Sequence, residues 1–126
     1  MKQIINTDKA PFPIGPYNQA VLNGNTLYTS GQIAMDATSG KLYTNSIQEE
    51  TKKVMQNLKF ILEAAGMDFS NVVKATIFLS DMNNFAKVNE IYGNHFDEAN
   101  APARETVEVA ALPKGANVEI SVIAVQ

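Results

Sequence analysis

The sequence predicts an α+β domain, a mixed sheet of about six strands with two helices on one face. Three observations carry that expectation. Glu105-Thr106-Val107-Glu108-Val109 and Val118-Glu119-Ile120-Ser121-Val122 alternate polar and apolar residues, the period of half-buried strands. Two inner segments instead repeat apolar residues at helical spacing. Finally, Val72-Val73, Ile77-Phe78-Leu79 and Val122-Ile123-Ala124-Val125 send apolar side chains toward both faces of the sheet. Two helices cover one face, so the other needs a cover from elsewhere. A homo-oligomer whose sheets pack face to face is expected, because a monomer exposing that patch tends to aggregate.

In chain order, Lys2 to Ile5 reads as a short strand, followed by a loop stiffened by Pro11, Pro13 and Pro16. Tyr17 closes the loop and opens a strand to about Leu22. Asn23-Gly24 is a hairpin turn, and Thr26 to Ser30 is the returning strand. Gly31 to about Asn45 shows no period. Ser46-Ile47-Gln48-Glu49 has the form of a capping box and starts a helix. Its apolar face is Ile47, Thr51, Val54, Met55, Leu58, Ile61, Leu62 and Ala65, and Gly66 suits the position just past its end. Val72 to Leu79 is the next strand, and strand, helix, strand implies a right-handed parallel crossover. Asp81 caps a second helix, whose apolar face is Phe85, Val88, Ile91, Tyr92 and Phe96 and which carries Asn89 and His95. Leu112 to Asn117 holds Pro113 and Gly115 and connects the last two strands. No repeat, linker or low-complexity tract interrupts residues 1–126, which read as a single domain.

Composition narrows the function. With no cysteine there is no disulfide, thiol nucleophile or thiolate metal site, and a lone histidine leaves zinc catalysis little to work with. The net charge of −3 and scattered Lys and Arg disfavour nucleic acid as the main partner. No apolar run approaches the length of a membrane span and no targeting segment is evident, so a cytoplasmic protein is expected.

Two charged residues stand out. Arg104 lies where the Asn100-Ala101-Pro102 loop meets a strand, a place where a guanidinium can grip a carboxylate with two parallel hydrogen bonds. Glu119 lies inside a mostly apolar strand, where a carboxylate is costly unless paired or used. By residue type alone, an ion pair tying two strands together is the favoured reading, since structural ion pairs are common.

The run Pro102-Ala103-Arg104 with Val107, Val109, Leu112 and Pro113, followed by Val118-Glu119-Ile120, resembles the signature of the RidA (YjgF) family of enamine/imine deaminases. Ile14-Gly15-Pro16-Tyr17-Asn18-Gln19-Ala20, Ser30-Gly31-Gln32-Ile33, Ala64-Ala65-Gly66 and the segment from Asp81 are similar to further family segments, so the resemblance spans nearly the whole chain. It implies a chorismate mutase-like fold and a homotrimer with sites in clefts between subunits. The implied reaction is hydrolysis of 2-imino acids, tautomers of enamines such as 2-aminoacrylate, to 2-oxo acids and ammonia. No cofactor is implied, because an iminium carbon is already electrophilic.

On this resemblance Arg104 anchors the substrate carboxylate and Glu119 handles the protons of water and of the departing nitrogen. Tyr17, Ser30 and Gly31 line the pocket, the backbone at Thr106 meets substrate or water, and Asn89 lines the pocket or bonds a loop. His95 receives no catalytic role. The chain departs from the family pattern at Glu105, where relatives usually carry a small residue, at Thr106, where many carry Cys, and in a short loop before Pro102. Glu105 keeps open a trimeric module that binds carboxylates without turnover. A translation or RNA role is the third reading, and the acidic balance counts against it.

Overall fold

The fold, described over residues 1–126 in a computed structural model, is one six-stranded mixed sheet carrying two helices. The strands are β1 (Lys2–Ile5), β2 (Ala20–Asn23), β3 (Thr26–Thr29), β4 (Val72–Leu79), β5 (Ala103–Glu108) and β6 (Val118–Val125). The helices are α1 (Ile47–Ala64) and α2 (Phe85–Gly93). Across the sheet the order is β1-β2-β3-β6-β4-β5. β6 runs antiparallel to both β3 and β4, so β3 and β4 point the same way with the last strand inserted between them. β4 and β5, joined through α2, pair directly in parallel.

Local chemistry sets the helix ends. Ser46 Oγ accepts the Glu49 N–H at 3.1 Å, and Gly66, at φ 73°, takes the left-handed position that closes α1. There Met67 N–H donates to Leu62 O and Gly66 N–H to Glu63 O, each at 2.9 Å. Asp81 caps a single 3₁₀ turn, Met82–Asn84, that runs into α2. This second helix ends at Gly93, so His95 and Phe96 lie beyond it. Phe96 still packs, its ring centroid 4.8 Å from that of Tyr92 and 5.5 Å from that of Phe69.

Alternation along β4 and β6 separates the two faces. Ala75, Ile77, Leu79, Val118, Ile120, Val122 and Ala124 are buried against Val54, Met55, Leu58, Ile61 and Leu62 of α1 and Val88 and Tyr92 of α2. Each full aliphatic burial contributes about 1.5–3 kcal/mol, which makes this face the core. On the other face Phe78, Ile123 and Val125 are only half-buried and Tyr28 and Val107 exposed. That face has no helix over it.

The polar residues inside act as ties. Glu50, in the first turn of α1, is fully buried. Its carboxylate accepts Asn117 N–H at 2.7 Å, Asn117 Nδ2–H at 2.8 Å and Val118 N–H at 3.3 Å. A helix N-terminus, itself favourable to negative charge, thereby holds the start of β6. Removing this acceptor leaves buried N–H groups without a partner. Glu50→Ala is therefore expected to cost about 3 kcal/mol, read as a lowered urea midpoint at fixed protein concentration.

Candidate functional site

Arg104 is placed by the register of β5. In the parallel pairing Ala75 lies beside Arg104 and Ile77 beside Thr106, and both partners are buried under the helices. Arg104 and Thr106 therefore project toward α2. Arg104 Nη1–H donates to Asn89 Oδ1 at 2.6 Å, and its Cζ stands 5.1 Å from the Tyr92 ring centroid and 5.6 Å from that of Phe85. A crevice of about 300 Å³ opens here, lined by Arg104, Asn89, Tyr92, Phe96, Glu98 and their neighbours. A guanidinium has five N–H groups, so the bond to Asn89 leaves most of the fork free. Because β5 is the outer strand of the sheet, half of its backbone groups, Thr106's neighbourhood included, face no further strand.

Glu105 points the other way. It lies beside Thr76 and pairs with Lys74 Nζ at 2.7 Å, so it does not neutralise the guanidinium. Strand alternation separates adjacent residues in this way.

Glu119 sits opposite Phe78, between the buried Val118 and Ile120, and so projects from the uncovered face. It lines a second cavity of about 530 Å³ with Tyr17, Ser30, Gly31, Gln32, Lys114 and the apolar Phe12, Ile14, Ile33 and Met35. Two backbone bonds, Gln32 N–H to Ile120 O at 2.8 Å and Ile120 N–H to Gln32 O at 3.1 Å, hold the Gly31 segment against β6. A Cβ on Gly31 would stand 2.5 Å from Glu119 Oε2 and 2.7 Å from its Cδ. A side chain at position 31 would therefore displace the Glu119 carboxyl. Burial raises the Glu119 carboxyl above its ordinary 4.5.

Tyr17 lies in the loop three residues before β2, which begins at Ala20, whereas the sequence reading has Tyr17 open that strand. The backbone here bonds a side chain instead of a neighbouring strand. The Gln19 amide, 1% exposed, donates to the carbonyls of Thr7, Ala10 and Pro11 and accepts Thr7 N–H. This tie holds the loop so that Phe12, Ile14 and Tyr17 stay 61%, 74% and 52% exposed on the cavity rim. Ser30 Oγ–H donates to Asn18 O at 2.6 Å, tying the turn to the same loop. Asn57, fully buried on α1, donates to Ile33 O at 3.1 Å and Met35 O at 3.0 Å and fixes the opposite wall.

The predicted residues thus form two groups: Tyr17, Ser30, Gly31 and Glu119 on one cavity, Arg104 and Asn89 on the other, with Thr106 beside Arg104 on its strand. Arg104 and Glu119 face opposite sides of one sheet. The ion pairs are Lys52–Glu49, Lys53–Asp36 and Lys74–Glu105, so the strand-tying pair is not what these two residues make. His95 lines neither cavity; it packs on Phe69 at 5.0 Å, and burial, with Lys59, lowers its pKa. Sequence reasoning missed Gln19, Asn57, Tyr92 and Lys114 as contributors. A loop rich in proline needs partners for its many free carbonyls, and that need was the available signal for Gln19.

A family model described as endoribonuclease L-PSP matches residues 7–126. A 2-iminobutanoate/2-iminopropanoate deaminase of Rattus norvegicus is 53% identical over all of this chain and 91% of its own length. YyfA of Yersinia pestis, a protein of the conserved Rid family, superposes with a TM-score of 0.96 at 46% identity, each chain covered in full. Escherichia coli TdcF, solved with bound serine, superposes with a TM-score of 0.92 at 41% identity over 98% of each chain.

Followed by NMR, the Glu119 carboxyl is expected to titrate above 4.5. Gly31→Ala, by pushing it off the strand, should return it toward that value; an unshifted titration in the unaltered protein rules this out. Because folding raises this pKa, the folded chain holds more protons than the unfolded one above 4.5, and stability falls as pH climbs through the raised value. Glu119→Gln removes that cost and should melt no lower than the parent at neutral pH.

Proposed function

This chain belongs to the RidA (YjgF) family, that of the endoribonuclease L-PSP model, and we propose that it hydrolyses small 2-imino acids to 2-oxo acids and ammonia. The relatives named 2-iminobutanoate/2-iminopropanoate deaminase, matched along the whole chain, support the reaction class. The observation that carries the reading is the division of the site. One crevice, with Glu98 in its lining, offers a guanidinium fork that no carboxylate pairs with, and the other cavity offers a carboxylate of raised pKa without such a fork. Neither does the chemistry alone. Packing the uncovered sheet faces of three copies around an axis brings the Arg104 crevice of one protomer to the Glu119 cavity of the next.

In this arrangement Arg104 holds the substrate carboxylate through two parallel N–H···O bonds, with Asn89 fixing the fork from behind. Tyr17 walls the planar imine and Ser30 and Gly31 line its edge. Glu119 takes a proton from water as the oxygen bonds to the iminium carbon, giving a carbinolamine. It then returns the proton to nitrogen, and as the C–N bond breaks and the C=O forms the carbinol O–H proton passes through Glu119 to the departing ammonia. Burial raises the Glu119 pKa toward the working pH, the direction that favours a group that both takes and returns a proton. The substrate enters as an iminium and leaves as a 2-oxo acid and ammonium, with one water consumed. In this reading the protein works in the cytoplasm, where pyridoxal-phosphate enzymes release such enamines.

The non-catalytic alternative rested on Glu105 neutralising Arg104, and Glu105 is paired with Lys74 instead.

Generating 2-aminoacrylate or 2-iminobutanoate with a dehydratase and following 2-oxo acid formation tests the activity directly; no acceleration overturns it. Glu119→Gln is expected to lower kcat by about 10²–10⁴-fold. Arg104→Ala is expected to lower kcat/KM by about 100-fold or more, mainly through KM. Mixing and reassembling these two impaired variants, assayed well below the parent KM, tests the shared site. About three-quarters of random trimers are mixed, each mixed trimer carries one intact site of its three, and about a quarter of the parent activity should return, whereas a site within one protomer recovers none.

A further inference from the structure

The guanidinium of Arg104 is held by more than Asn89. Its Cζ lies 5.1 Å from the Tyr92 ring centroid and 5.6 Å from the Phe85 ring centroid, both within the reach at which an aromatic face attracts a cation. Both rings come from α2, whose one-turn spacing sets Phe85, Asn89 and Tyr92 on the side facing β5. Tyr92 is 5% exposed and anchored in the core, while Phe85 stands 36% exposed at the start of the helix. An arginine side chain has four rotatable bonds and large rotamer freedom, so a fork that must meet a planar carboxylate has to be confined beforehand.

We propose that Tyr92 and Phe85 are positioning residues that confine the Arg104 guanidinium between α2 and β5, leaving its outer N–H groups aimed into the crevice for a carboxylate. The inference rests on the deaminase reading only for what the carboxylate belongs to. The tyrosine ring does this work and its hydroxyl does not: Tyr92 OH is buried with no hydrogen-bond partner. A buried hydroxyl left unpaired adds nothing to stability, so its removal is cheap while removal of the ring is not. Asn89 sets the in-plane direction of the fork through one N–H, and the rings set where the plane lies.

Three variants decide the matter. Tyr92→Leu removes the anchored ring, Phe85→Leu removes the partly exposed one with little effect on the core, and Tyr92→Phe keeps the ring without the hydroxyl. Tyr92→Leu should raise KM for the imino acid and Kd for a 2-oxo acid about tenfold, and Phe85→Leu about threefold, with kcat changed by less than about twofold. Tyr92→Phe should restore the parent KM and Kd. In the free protein, the Arg104 Nε–H resonance should lose order by NMR relaxation in Tyr92→Leu and regain it in Tyr92→Phe. That last measurement needs no turnover, so a protein that proved inactive on imines would defeat the functional reading without touching this one. An unchanged Arg104 order and unchanged KM in both leucine variants overturn the proposal. So does a Tyr92→Phe variant that behaves like Tyr92→Leu, since the hydroxyl would then be the acting group.

Discussion

Successive side chains of a pleated strand leave on opposite faces, and the site is divided by that constraint. Arg104 and Thr106 share their face with Ala75 and Ile77, the face the helices cover. Glu119 shares its face with Phe78, the face nothing covers. No rotamer change carries either group through a hydrogen-bonded sheet. A reaction that needs both must therefore recruit a second sheet, and the half-buried Phe78, Ile123 and Val125 give that second sheet a reason to bind. In the proposed assembly, the apolar surface to be covered and the carboxylate assigned to the reaction lie on one face. Oligomerisation and chemistry are in that assembly coupled by geometry before any specific contact is considered.

Each half-site is then held by buried polar ties. Glu50 fixes the start of β6 one residue ahead of Glu119, Asn57 fixes the Ile33–Met35 wall, and Gln19 fixes the loop bearing Tyr17. All three are at most 1% exposed, where an unsatisfied polar atom costs about 1–3 kcal/mol. That asymmetry makes them restrictive. A loop could slide along an apolar surface at little cost, but it cannot leave a buried amide without stranding donors and acceptors together. The irregular segments of the site are thus tied to the core, while their apolar tips Phe12, Ile14 and Tyr17 stay exposed.

Features written in adjacent residues were legible in the sequence. Ser46 and Gly66 mark α1 because capping involves groups within four residues of each other, and Val72–Leu79 is a strand as the apolar run predicts. The uncovered face was legible too, from counting two helices against a sheet apolar on both sides. Contacts between distant segments were not. Tyr17 is expected from the sequence to open a strand, but Gln19 spends its amide on carbonyls eight to twelve residues back, and the strand begins only at Ala20. Phe96 continues the helical period of α2 although the helix stops at Gly93, because periodicity records packing and not hydrogen bonding. Alternation did say that Arg104 and Glu105 diverge. Which of them meets α2 depends on the register of β5 against β4, and that is set across the sheet.

The departure at Glu105 shows how such a register converts a threatening residue into a harmless one. A carboxylate adjacent in sequence to the guanidinium is its nearest competitor for an incoming anion, and within about 4 Å in a low-dielectric crevice it would dominate the local field. One residue of strand pitch removes it to the opposite face, where Lys74 occupies it at 2.7 Å. The pair is largely exposed and therefore contributes little to stability. Its consequence is electrostatic: the negative charge is answered locally, on the far side of the sheet. The direct contacts of the Arg104 fork are neutral, an amide and two aromatic rings, and no carboxylate pairs with it, so its charge stays available to an anion that enters the crevice.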